Sequence, residues 1–180
     1  MVFTHKGTIE SRNLKGLSDS HKKAVYKHCV ERGYRCATIE EAKHEERGRC
    51  IRVTETVLKD EYLFEYEGEL IQNRRAELRE EKYARSEAGC FMFFFRHDGR
   101  KVCIDATNER LSRVLDWGPG RLVNHSKQKP NLRIETTSDS RDMPRLYFVA
   151  LRDIQKGEEL LVDYGDRDKA AVKAHPWLLA

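Results

Sequence analysis

No apolar run in this chain of 180 residues approaches the eighteen or more that a membrane-spanning helix requires. Met1 to Leu17 holds basic residues but no apolar core, which reads against a secretory signal and sets an intracellular expectation. No strand-like run leads into G-x-G-x-x-G, so a Rossmann nucleotide site is excluded. The five cysteines (Cys29, Cys36, Cys50, Cys90 and Cys103) form no C-x-x-C and no compact group with histidine. That spacing argues against a disulfide framework or a zinc site and for reduced, mostly buried thiols; no metal is expected. There is no internal repeat and no low-complexity tract.

What is present suits one compact domain with a real core. The net charge of +4 is unevenly placed. Nine Lys/Arg face five Asp/Glu up to Lys43, and the two signs balance from His44 onward. A basic leader on a neutral body suits non-specific contact with DNA, or is simply a solvated helix.

Residues 1–17 lack periodicity and read as a flexible tail. A helix is expected from Ser18 or Ser20, with Gly33 as its stop. Strand character starts near Val53, and Tyr62 to Ile71 alternates, with Glu65, Glu67 and Glu69 expected on a solvated face. Asn73 to Ser86 reads as a charged helix with an apolar stripe of Ala76, Leu78, Tyr83 and Ala84. Cys90 to Asp105 reads as a hairpin turning at Asp98-Gly99. Arg145 to Leu151 and Glu159 to Val162 are two further strands, and Trp117-Gly-Pro-Gly120 is a turn. Asp168 to Ala174 closes as a short helix before Pro176. Many short strands, few helices and no βαβ alternation give a mainly β fold.

Two strings carry the chemistry: R-L-V-N-H-S at Arg121 to Ser126, and E-E-L-L-V-D-Y-G-D at Glu158 to Asp166. Their order, their separation and the apolar run before the second resemble the segments that cross in the active site of SET-domain lysine methyltransferases. The resemblance implies a fold of several small curved sheets with a pseudoknot-like active site. It divides the chain into a basic leader (1–45), a SET domain (46–166) and a C-terminal helix (167–180) that completes the cofactor site. The implied cofactor is S-adenosylmethionine. Transfer from it requires in-line approach of a neutral amine, which a desolvated channel beside a sulfonium favours.

Residue by residue, the resemblance makes Tyr164 the central catalytic tyrosine and Tyr66 its channel partner. Arg47-Gly48-Arg49 matches the cofactor loop, although Cys50 stands where the family has a second glycine. Phe91 replaces a tyrosine in the segment touching the cofactor, and Asn124-His125 matches the pair binding its adenine and amino-acid ends. The tail, Asp163 to Trp177, is similar to that of the histone H4 lysine-20 monomethyltransferases, which places Trp177 on the adenine. Val162 stands where that branch has a tyrosine whose hydroxyl helps to limit methylation, so either the product range is expected to widen or the reaction to slow. The 106–120 stretch is about half a dozen residues longer than the branch usually shows. The implied partners are the H4 tail and the nucleosome, with a monomeric, nuclear, chromatin-associated protein. The alternatives are a methyltransferase for another histone site or a non-histone protein, and a weakly active SET-like binding module.

Overall fold

The computed structural model describes residues 2–3, 14–35, 38–45, 47–85 and 90–165. Three small antiparallel or mixed sheets make the body. Strands β1 (Val2–Phe3), β2 (Ile39–His44) and β3 (Gly48–Val53) form the first. The second has the order β4 (Tyr62–Glu65), β10 (Pro144–Ala150), β9 (Leu132–Ser138), β11 (Leu161–Val162) and β8 (Asn124–His125). The third is β5 (Glu69–Gln72), β7 (Arg100–Asp105) and β6 (Met92–His97). Helix α2 (Asn73–Ala84) packs on the third sheet, and α3 (Glu109–Val114) and a 3₁₀ turn (Pro119–Leu122) lead into β8.

Helix α1 (Asp19–Arg32) begins where expected, with the Ser18 hydroxyl accepting from the His21 N–H, and ends at Gly33, whose φ of 63° suits glycine. The leader is not loosely attached. Tyr26 donates to the Asp60 carbonyl at 2.7 Å and packs on Tyr147, while Lys22 and Arg133 both reach the Asp60 carboxylate. Reading residues 1–17 as a flexible tail needs correction: Val2–Phe3 pairs with β2, and Leu14 is buried with Tyr26 and Val30.

The hairpin turns at Asp98 and Gly99, both at positive φ, the geometry of a two-residue type I′ turn. Two other expectations fail. Leu78 is 63% exposed, so only Ala76 of the α2 stripe is buried; Arg79 instead holds the helix by reaching Glu69 and Asp105. Glu65 is not on a solvated face. All four residues of β4 are buried, and Glu65 accepts from Arg145 Nε at 2.7 Å. Burial pushes its carboxyl up even against that partner. Strands β2 and β9 were not anticipated.

The main core draws on all three sheets, with Phe93 and Ile104 from the third. Ile51, Leu63, Phe64, Leu146, Phe148 and Val162 belong to it, and Tyr164 packs against its edge.

Candidate active site

The site forms where β11, the last strand among the described residues, lies between β9 and β8. It runs parallel to β8, with Leu161 opposite Asn124 and Val162 opposite His125. Asn131, 1% exposed, fixes this crossing: its amide oxygen accepts from Leu161 N–H at 2.8 Å and its amide nitrogen donates to the Glu159 carbonyl at 2.7 Å. Nothing in the sequence around Pro130-Asn131 announced that role, because both partners lie some thirty residues away.

Past β11 the chain brings Tyr164 back onto β8. Its backbone N–H donates to His125 Nδ1 at 3.1 Å, and its hydroxyl donates to the Val123 carbonyl at 2.8 Å. A ring nitrogen that accepts carries no proton, so this bond assigns any single His125 proton to Nε2. The Tyr164 ring lies 5.0 Å from His125 and meets Phe93 edge-on at 5.8 Å. Burial pushes its hydroxyl up to about 12. Tyr66, buried beside Phe93 and Phe148, is raised well above the ordinary tyrosine value, first by burial and then by Tyr164 nearby. The result is a buried aromatic cluster of Tyr66, Phe93, Phe148 and Tyr164 that holds two protonated phenols.

A second cluster surrounds Asn124. Its amide nitrogen donates to the Arg49 carbonyl at 3.2 Å and to Glu159 Oε1 at 3.0 Å, and Glu159 Oε2 takes Arg47 at 2.6 Å. Burial would raise the Glu159 carboxyl, but Arg47 and Asn124 outweigh it and hold it below the usual range. The loop Arg47-Gly48-Arg49 is thereby stapled to β8. Gly48 sits at φ 75°, where a side chain would be strained. Cys50, at the position where a second glycine was expected, is fully buried on β3.

Phe91 lies between two arginines. The guanidinium carbon of Arg121 stands 4.1 Å from its ring centre and that of Arg49 5.8 Å. Glu109 bridges the pair at 2.6 Å to Arg49 and 2.9 Å to Arg121. Arg121 was read only as part of a motif; here it is 8% exposed and its Nε has no hydrogen-bond partner. A cleft of about 340 Å³, lined by Arg49, Glu109, Trp117 and Arg121, opens beside this cluster rather than over Tyr164. Of the turn expected at Trp117 to Gly120, Pro119 and Gly120 begin a 3₁₀ turn that runs to Leu122.

The SET domain family matches residues 48–165, a span that begins at the stapled loop and ends just after Tyr164. The chain belongs to the SET-domain family. It is similar to the N-lysine methyltransferase KMT5A-A of Danio rerio, 43% identical over 136 residues, 74% of this chain and 37% of that protein. The histone-lysine N-methyltransferase set-1 of Caenorhabditis elegans is 37% identical over 169 residues, covering 93% of this chain and 66% of that protein. The crystal structure of CpSET8 from Cryptosporidium superposes with a TM-score of 0.77 at 40% identity, over 86% of this chain and 69% of that one. This chain thus spans little more than a third of the length of the fish relative.

Within this SET domain, the structure brings together Tyr66, Val162 and Tyr164 in one apolar cluster, and Arg47, Gly48, Arg49, Asn124 and His125 along the β3–β8 seam. Phe91 packs on the edge of the same cluster. Trp177, expected at the adenine, and the expected C-terminal helix lie outside the described residues. Among the described residues no group of His, Cys, Asp and Glu is arranged to hold a metal ion, and no helix is long and apolar enough to cross a membrane.

Proposed function

We propose that the protein is an S-adenosylmethionine-dependent histone-lysine methyltransferase that modifies lysine-20 of histone H4 on nucleosomes. The observation that carries this reading is the Tyr164 hydroxyl, fixed by the Val123 carbonyl within a buried aromatic cluster that includes Tyr66 and Phe93. A substrate lysine must arrive as the neutral amine although its ordinary pKa is about 10.4. Burial among Tyr66, Phe93 and Tyr164 penalises the charged form and lowers that value. A phenol that donates one hydrogen bond can still accept, so Tyr164, with Tyr66, orients the amine without removing its proton.

The residues of the second cluster fit the cofactor. It needs cationic and amide groups for an α-carboxylate, a backbone approached closely by a ligand, and an apolar or aromatic surface. Arg47 and Arg49 supply the first through guanidinium donors beyond those given to Glu159 and Glu109, with Asn124 holding their loop in place. Gly48 supplies the second, while the partnerless buried Arg121 Nε leaves a donor to be satisfied beside Phe91. His125 and Trp177 are assigned to the same cofactor site. Bound S-adenosylmethionine supplies a methyl group on a positive sulfonium; the protein's share is to hold, dry and align the amine opposite it. The nuclear, chromatin-associated setting and a monomeric enzyme follow the same reading, and the basic leader adds non-specific DNA contact.

A wider product range is favoured by Val162, 1% exposed, and by Phe91, since both place apolar groups where the resembling branch carries hydroxyls. Transfer of tritiated methyl groups to nucleosomes carrying wild-type H4 or H4 with lysine-20 changed to arginine tests the proposal. Label on the first alone supports it; label on both points to another lysine. No label together with calorimetric binding of the cofactor points to a binding module.

A further inference from the structure

Between α1 and the reaction centre runs a line of contacts that passes through the long 106–120 stretch. Arg35, two residues past the cap of α1, is 7% exposed. Its guanidinium donates to the Glu67 carboxylate at 3.3 Å and to the Asp116 carbonyl, and lies 3.6 Å from the Asp116 carboxylate. Glu67 also accepts from the Gly118 N–H. Gly120 is demanded by contact with backbone, while Gly118 faces the movable ends of Glu67 and Arg35. A Cβ on Gly118 would stand 2.6 Å from Glu67 Oε2, and one on Gly120 2.6 Å from the Glu65 carbonyl and 2.9 Å from Tyr66 Cα. Gly120 therefore lies directly on the backbone that carries Tyr66, and residues 116–118 are tied to it through the Arg35 and Glu67 side chains.

From Gly120 the chain passes at once into the working parts. Arg121 covers Phe91, the Val123 carbonyl holds the Tyr164 hydroxyl, and Asn124-His125 pairs with β11. Whatever sets residues 116–120 sets all three. Anchoring α1 is not what Arg35 is needed for, since Lys22 and Tyr26 already bind that helix to Asp60 and Tyr147. Burying the Arg35 guanidinium against the half-buried Glu67 carboxylate is costly in desolvation, which makes its use to fix one backbone position more telling than its net contribution to stability.

We propose that Arg35 and Glu67 are positioning residues for methyl transfer, clamping residues 116–120 onto Tyr66 so that Arg121, the Val123 carbonyl and Asn124 hold their working places. The inference rests on the methyltransferase reading above. Loss of the clamp lets the 118–126 segment shift, and a displacement of an ångström in a reacting geometry costs on the order of a hundredfold in rate.

The test compares Arg35→Ala, Arg35→Lys and Glu67→Gln in the full chain, well below each variant's melting temperature. Hydrogen exchange is read over 118–126 and over α1; kcat and KM are read with nucleosomes. Arg35→Ala is expected to speed exchange in 118–126 and not in α1, and to lower kcat about tenfold or more with KM within about twofold. Glu67→Gln is expected to act in the same direction more mildly, and Arg35→Lys to restore part of the rate. An unchanged kcat in both Arg35→Ala and Glu67→Gln overturns the proposal, as does faster exchange confined to α1. A wild type without transfer overturns the parent reading and the catalytic role together. The exchange pattern then shows whether the clamp itself exists, so the two failures remain distinct.

Discussion

The hydroxyl of Tyr164 donates to the carbonyl oxygen of Val123 at 2.8 Å, tying the end of one crossing segment to the start of the other. The bond fixes the phenol's direction without ionising it. It also makes Val123 a working part through its backbone, which no side-chain motif discloses.

Tyr164→Phe removes that hydroxyl and leaves the Val123 carbonyl without it. The fold should survive with a loss of about 1 kcal/mol, the usual net value of one such bond. Turnover should fall about a hundredfold or more, the scale seen when one oriented hydrogen-bonding group leaves a reaction centre. Denaturant unfolding and initial rates, measured on the same preparation, check both halves.

The Tyr164 hydroxyl, pushed by burial up to about 12, binds its proton more tightly in the folded chain than in the unfolded one. Its contribution to stability is therefore complete below the unfolded value near 10 and is lost as pH rises from there towards 12. Wild-type protein should lose stability over that window more steeply than Tyr164→Phe. At lower pH, between about 7 and 9.5, the rate should rise as the substrate amine loses its proton, with no fall from phenol ionisation. A decline in kcat centred below pH 9 would contradict the assignment.

Glu159 holds Arg47 at 2.6 Å and Asn124 at 3.0 Å. Glu159→Ala should free the loop from β8 and weaken cofactor binding by about tenfold, equivalent to one charge-assisted bond. Isothermal titration with S-adenosylmethionine reads this directly. An unchanged affinity would remove the 47–49 loop from the cofactor site.

Val162 is buried opposite His125, in the same apolar cluster as Tyr66 and Tyr164. Val162→Tyr restores a hydroxyl and fills space, so the ratio of dimethyl to monomethyl product should fall. Mass spectrometry of long incubations gives the ratio. If wild type and variant match, Val162 does not set the product.

The sequence made some of this legible for identifiable reasons. Ser18, Gly33 and Asp98-Gly99 act through neighbours within a few residues, so α1 and the β6–β7 hairpin could be placed without tertiary information. Tyr164 and Asn124-His125 were found because short strings carry the family resemblance. Glu65 was misread because its partner Arg145 is eighty residues away, and alternation alone cannot distinguish a paired buried carboxylate from a solvated one. Asn131, Glu159 and Arg35 escaped for the same reason: each acts through contacts that only the folded chain brings together. Strand β9 was missed because it carries only two apolar residues, Leu132 and Ile134, so its alternation is too short to stand out.

The most direct test of the whole account is tandem mass spectrometry of H4 from recombinant nucleosomes after incubation with this protein and S-adenosylmethionine, alongside the Tyr164→Phe variant. Methylation at lysine-20, present with the wild type and absent with the variant, is the result the account predicts. Methylation that persists in Tyr164→Phe, or that falls only on other lysines, would contradict it.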